Sequence, residues 1–81
     1  MENLKKWLAK YGYAFEVKQL RYGQGSYEGV FVSLDILEKG RITGRVDERQ
    51  ILKYLRRYGL ESEYRGYYSS LLIYKNKEAA A

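Results

Sequence analysis

The sequence predicts an α+β fold: two helices on one face of a four-stranded antiparallel sheet, in the order α-β-β-α-β-β. Three observations predict it. First, Leu4-Lys5-Lys6-Trp7-Leu8-Ala9-Lys10-Tyr11-Gly12 returns as Ile51-Leu52-Lys53-Tyr54-Leu55-Arg56-Arg57-Tyr58-Gly59, at a constant offset of 47 residues. Second, each copy combines a helix-period apolar stripe with two segments of period two. Third, the helices are segregated from the hairpins, the pattern of an antiparallel sheet with helices on one side. The repeat implies two related halves, about 1–37 and 47–75, with a pseudo-twofold axis between them and a basic connector, 38–46. Together they make one domain, 1–78.

The first helix is expected to start at Glu2 or Asn3. Leu4, Trp7, Leu8 and Tyr11 follow the i, i+3, i+4, i+7 spacing of one apolar stripe, and Gly12 stands where a helix terminates. Residues Tyr13 to Leu20 alternate, with Tyr13, Phe15 and Val17 on one side and Glu16 and Lys18 on the other. Arg21-Tyr22-Gly23-Gln24-Gly25-Ser26 reads as a Gly-rich turn. Tyr27 to Leu37 alternates again, with Val30, Val32, Leu34 and Ile36 on one face and Phe31, Ser33 and Asp35 on the other. Asp47 followed by Gln50 has the pattern of a capping box for a second helix with an apolar face of Ile51, Leu52, Leu55 and Tyr58. Leu60 to Arg65, a turn at Gly66, and Tyr67 to Tyr74 form a second hairpin. The closing Ala-Ala-Ala, 79–81, has the look of a cloning scar.

At 81 residues the chain is near the lower limit for a single unaided core, and dimerisation would supply further burial. Apolar residues make up 46% and aromatic residues 16%, including ten Tyr, which is enough to fill a core. Cys and His are both absent. Disulfides, thiolate zinc sites, thiol nucleophiles and imidazole acid–base chemistry are therefore excluded. The N-terminus lacks an apolar signal core and no run approaches a membrane span, so a soluble cytoplasmic protein is expected. Fifteen Lys and Arg against ten Asp and Glu leave a net charge of +5, suited to a polyanionic partner. Few Asn, Gln and Met beside abundant Lys, Arg and Glu resemble a thermophile composition, against which the absence of Pro argues.

The first candidate site is cationic. Lys6 and Lys10 match Lys53 and Arg57 across the repeat, with Lys5 and Arg56 alongside and Arg41 and Arg45 in the connector. Two such ridges would follow a phosphate backbone, each neutralised phosphate adding affinity through counterion release. The competing reading is a solvated face whose last-turn cations oppose the helix dipole. The second candidate is aromatic: Tyr22, Tyr27, Tyr64, Tyr67, Tyr68 and Tyr74, interleaved with Lys18, Arg21 and Arg65, would stack bases on an open sheet face, or simply serve as strand formers. Tyr11, Tyr54 and Tyr58 lie on helix stripes and are expected in the core. The Gly23-Gln24-Gly25 turn joins strands rather than opening a helix, so it is expected to be a hairpin turn and not a phosphate cradle. Glu16, Asp35, Glu61 and Glu63 are expected as cross-strand partners of cations, not as a metal site for catalysis.

The α-β-β-α-β-β order resembles that of the LAGLIDADG homing endonucleases, and Leu8-Ala9-Lys10-Tyr11-Gly12-Tyr13-Ala14-Phe15 resembles their helix-to-strand signature. Lys10, Tyr11 and Gly12 stand where that family carries its metal-binding acid, so the resemblance implies a DNA-facing sheet without cleavage. Size, Tyr content and charge also resemble small proteins of viruses and plasmids of thermophilic archaea. The expectation is a small, non-enzymatic nucleic-acid-binding protein without cofactor or membrane, with a homodimer as a further partner state. Phosphate contacts would come from Lys6, Lys10, Arg41, Arg45, Lys53, Arg56 and Arg57, and any specificity from Arg21 and Tyr22. The competing expectation is a protein-interaction or assembly module using an open sheet face or an edge strand, with an apolar patch near Phe31 and Leu71.

Overall fold

The computed structural model describes residues 1–75, with Tyr22 described by its backbone alone. The tail expectation for 79–81 lies outside the described residues. Helix α1 (Glu2–Lys10) is followed by strands β1 (Phe15–Tyr22), β2 (Gly25–Ser33), β3 (Asp35–Glu38) and β4 (Arg41–Arg45); helix α2 (Arg49–Tyr58) and strands β5 (Glu61–Arg65) and β6 (Ser70–Tyr74) complete the fold. It is an α+β architecture with a four-stranded antiparallel sheet, order β1-β2-β6-β5, and a separate two-stranded sheet, β3-β4. No helix among the described residues is long and apolar enough to cross a membrane.

Both helices form for the reasons their stripes give. Leu4 and Leu8 of α1 and Ile51 and Leu55 of α2 are buried, Trp7, Leu52 and Tyr54 pack partly buried against the same core, and Lys and Arg take exposed positions. Both helices also end alike. Gly12 and Gly59 adopt φ of 76° and 65°, a left-handed conformation that costs glycine nothing. Beyond them Tyr13 N–H donates to the Leu8 carbonyl at 3.0 Å, and Leu60 N–H to the Leu55 carbonyl at 2.9 Å, the long bond of a Schellman turn. The start of α2 differs from the expected capping box. Glu48 occupies the cap position without a capping side-chain bond, while the Asp47 carboxylate accepts from the Arg49 amide at 3.2 Å and holds the Arg49 guanidinium at 2.9 Å.

The core gathers Leu4, Leu8, Ile51 and Leu55 with Val30, Val32, Leu34, Leu71 and Ile73. Across the central strand pair Val30 faces Ile73 and Val32 faces Leu71, so period-two alternation brings all four to the same side of the sheet. Phe31 and Leu72, also opposite each other, point to the other side. On that side Leu72 is fully buried and a Cβ on Gly29 would come within 2.8 Å of the Leu20 and Leu72 side-chain tips, so the apolar side chains of this face pack on one another. Leu71, expected in an exposed patch, belongs to the core.

Three other expectations fail. Tyr27 to Leu37 is not one strand, because β2 stops at Ser33 and the chain turns inward to bury Leu34. There the Leu34 amide donates to the Ser69 carbonyl at 2.9 Å and its carbonyl accepts from Val46 N–H at 2.8 Å, which takes the backbone out of the sheet ladder. The segment read as a connector is the β3-β4 hairpin, turning at Lys39 and Gly40 with φ of 52° and 78°. Nor does the second hairpin resume at Tyr67. Gly66, Tyr67 and Tyr68 all have positive φ, Ser69 N–H bonds back to the Gly66 carbonyl at 3.1 Å, and β6 begins at Ser70.

Candidate functional site

Sorting the cations by partner separates structural from available charge. Lys5 lies 2.9 Å from Glu2 and 3.1 Å from Glu28, Lys18 3.7 Å from Glu16, Arg45 3.6 Å from Asp35, Arg49 2.9 Å from Asp47 and Arg65 2.7 Å from Glu63. The hydrogen bond to Glu2, and then that to Glu28, raises the pKa of Lys5, while the Lys5 bond holds Glu2 below its usual range. Among the described residues, Lys6, Lys10, Arg21, Arg41, Lys53, Arg56 and Arg57 form no ion pair, and all seven are exposed. Of the nine residues singled out in the sequence, Arg45 is engaged by Asp35, and the side chain of Tyr22 lies outside the described residues. Arg41 and Arg45 stand on β4 and Arg21 near the end of β1, whereas five of the free cations share the two helices.

Between those helix cations runs a chain of aromatic rings. Tyr11 to Trp7 is 5.3 Å between ring centres, Trp7 to Tyr54 4.5 Å and Tyr54 to Tyr58 4.6 Å, with Tyr13 stacked against Trp7 at 5.6 Å. The Trp7–Tyr54 contact links the two helices, and a shallow groove lined by Met1, Leu4, Tyr54, Tyr58 and Leu60 places the start of α1 beside the end of α2. Tyr11 and Tyr58 are 60% and 56% exposed, which corrects their expected place in the core. Each stands at the C-terminal end of its helix and packs on one neighbouring ring, Tyr11 on Trp7 and Tyr58 on Tyr54, with the rest of the ring in water. A cation accompanies each: the Lys10 ammonium lies 5.5 Å from the Tyr11 ring centre and the Arg57 guanidinium 5.4 Å from that of Tyr58. Tyr54, half-buried in the middle, has its pKa raised by that burial and then by Tyr58.

The rest of the surface is less suited to an anion. By register Glu16 and Lys18 of β1 and Glu61, Glu63 and Arg65 of β5 lie on the face of Phe31 and Leu72, three carboxylates against two cations. Among the described residues no group of three or more carboxylates is arranged to hold a metal ion. The Gly-rich segment is a hairpin turn: Tyr22 pairs with Gly25 across a loop of Gly23 and Gln24. Tyr67 is fully exposed at the opposite turn, whereas Tyr74 is buried and meets Tyr27 edge-on at 5.7 Å. Tyr64 contacts Tyr68 at 5.0 Å, and the Glu48 carboxylate beside its hydroxyl raises its pKa. A groove of about 660 Å³ where the β3-β4 hairpin meets the sheet is lined by Phe15, Phe31, Leu37 and Ile42 with Lys18 and Asp35. Comparison of the chain with protein families, with curated proteins and with solved structures finds no match.

Proposed function

We propose that this protein binds nucleic acid without catalysing a reaction on it, using the outer surface of its two helices. The observation that carries the reading is the set of five exposed helix cations, Lys6, Lys10, Lys53, Arg56 and Arg57, that form no ion pair among the described residues and flank a run of four aromatic rings. Opposition to the helix dipole accounts for cations in a last turn, namely Lys10, Arg56 and Arg57. It does not account for Lys6 and Lys53, which lie in mid-helix. The exposed rings of Tyr11 and Tyr58 would stack bases while the cations beside them meet phosphates, the combination that serves single strands. The face of Phe31 and Leu72 carries more acid than base, so the helix side is favoured over the DNA-facing sheet that the endonuclease resemblance implies.

We propose further that the two halves are an internal duplication related by a pseudo-twofold axis. The supporting pairs are those at the 47-residue offset: Trp7 touches Tyr54, its own equivalent, and the Tyr13–Leu8 and Leu60–Leu55 terminating bonds correspond. Such symmetry would present Lys6 and Lys10 on one side of the aromatic run and Lys53 and Arg57 on the other.

Anisotropy of labelled single- and double-stranded DNA and RNA, titrated at several salt concentrations, tests this. The expected result is binding whose log–log salt slope is several units, with Lys6→Ala, Lys53→Ala and Arg57→Ala each lowering the slope by about 1. Absence of binding at low salt, or a slope indifferent to all three substitutions, would refute it. A protein-interaction role has separate support in the β3-β4 hairpin, where Leu37 and Ile42 are 62% and 65% exposed.

A further inference from the structure

Strand β1 is the longer edge of the sheet, eight residues against five for β5, and it pairs with β2 without a bulge along its whole length. The Ser33 amide donates to the Ala14 carbonyl at 2.9 Å. Backbone groups alternate sides along a strand, so the even residues of β1 turn theirs toward β2 and Phe15, Val17 and Gln19 turn theirs outward. An unpaired edge of this kind is a template for another strand, and natural edges are usually blunted by Pro, a bulge or charged side chains, Lys above all. Here the chain has no Pro, the register is continuous, and the two charges beside Val17 are opposite in sign, Glu16 before it and Lys18 after it.

That pattern is its own complement. Placed antiparallel to a second copy with a twofold axis at Val17, residue 16 of each strand faces residue 18 of the other, and both lie on the same side of the sheet. We propose that β1 is a homodimerisation edge that joins two four-stranded sheets into one of eight. At the axis the Val17 amides and carbonyls bond reciprocally, with Phe15 and Gln19 bonding to their opposite numbers on either side. Glu16 and Lys18 form two reciprocal ion pairs across the seam. Within one chain they lie 3.7 Å apart, Lys18 also resting 5.2 Å from the Phe31 ring centre, and with side chains 72% and 55% exposed both can swing across the seam. Val17, 41% exposed at the edge, is covered by its counterpart. A domain this small gains from such burial.

The other edge carries a similar triplet, Glu63-Tyr64-Arg65, and the structure argues against it. Centred on Tyr64, a second copy would meet Gly66 and Tyr67 opposite Ser62 and Glu61, and Gly66, Tyr67 and Tyr68 are in left-handed conformations that cannot continue a ladder.

Sedimentation of the full chain without nucleic acid, from about 1 μM to about 1 mM, spans the affinities of such pairing. The mass should rise from 9.6 kDa to twice that value. Glu16→Lys and Lys18→Glu each place like charges across the seam and should weaken association at least about tenfold. The double exchange, Glu16→Lys with Lys18→Glu, restores complementarity and should restore the dimer, while Arg65→Glu should leave it intact. All these residues are exposed, and circular dichroism verifies that each variant is folded. In amide exchange the Phe15, Val17 and Gln19 amides should gain protection with concentration. A wild-type chain monomeric throughout, a double exchange as weak as the singles, or loss of the dimer in Arg65→Glu alone would overturn the proposal.

Discussion

Tyr67 and Tyr68 hold consecutive left-handed conformations, φ 55° and 68°, directly after Gly66 at 59°. A side chain in that region brings Cβ against the backbone and costs about 1–2 kcal/mol per residue. Asn tolerates the conformation better, because its short polar side chain bonds locally. Tyr67 is fully exposed and loses no packing when replaced, so Tyr67→Asn should stabilise the protein by about 0.5–1 kcal/mol, measured as a higher urea midpoint at unchanged slope. Gly66 is less replaceable. A Cβ there would lie 2.7 Å from the Ser69 hydroxyl oxygen. Two further tyrosines set the alkaline limit. Tyr54 is raised by burial and Tyr64 first by the Glu48 carboxylate beside its hydroxyl, so in the unfolded chain both ionise earlier. Their contribution is therefore fully present below the unfolded value of about 10 and is lost as pH rises through the higher folded values. Urea midpoints should be level between neutral pH and that value and fall above it, and Tyr64→Phe should reduce the fall.

At the scale of elements, what was legible depended on whether a local pattern and its burial agree. Leu4, Leu8, Ile51 and Leu55 fall at helical spacing and are all buried, so both helices and their glycine ends could be read directly. The alternation of Val30, Val32, Leu34 and Ile36 is unbroken in sequence, yet the chain leaves the sheet at Leu34 because its amide and carbonyl bond to Ser69 and Val46, contacts at long range that no local period encodes. The cations of the site were legible from the repeat, since exposed polar positions follow from helical phase alone. The aromatic run was not. Tyr11 and Tyr58 sit on the apolar stripe at the C-terminal ends of their helices, and helical phase alone does not tell that they are more than half exposed. The β3-β4 hairpin makes the same point in reverse, an apolar pattern with little burial behind it. Leu37→Thr and Ile42→Thr, at residues more than half exposed, should each alter stability by less than about 0.5 kcal/mol in denaturant titration. A larger loss in either would mean the groove beside Phe15 and Phe31 is a structural seam.

At the scale of the whole molecule, the proposed duplication has a consequence that packing alone does not require. Val30 faces Ile73 and Val32 faces Leu71, so exchanging the two hairpins maps one pair onto the other, while Phe31 and Leu72 simply trade places. An axis through that central pair would pass on toward the Trp7–Tyr54 contact. Leu8 and Leu55 then occupy equivalent seats, and both are almost wholly buried, at 0% and 3%. Leu8→Ala and Leu55→Ala should each cost about 2–5 kcal/mol, the spread at fixed chemistry reflecting how far a cavity collapses. Equivalent surroundings should bring the two costs within about 1 kcal/mol of each other, although neighbouring sites in an ordinary core scatter more widely. Because either loss is a large part of the stability of so small a domain, the comparison is best made in the background stabilised by Tyr67→Asn, with denaturant midpoints followed by Trp7 fluorescence. Costs differing by more than about 2 kcal/mol would show that the two helices rest on the sheet in unlike ways. The repeat would then describe local sequence and not the packing of the fold.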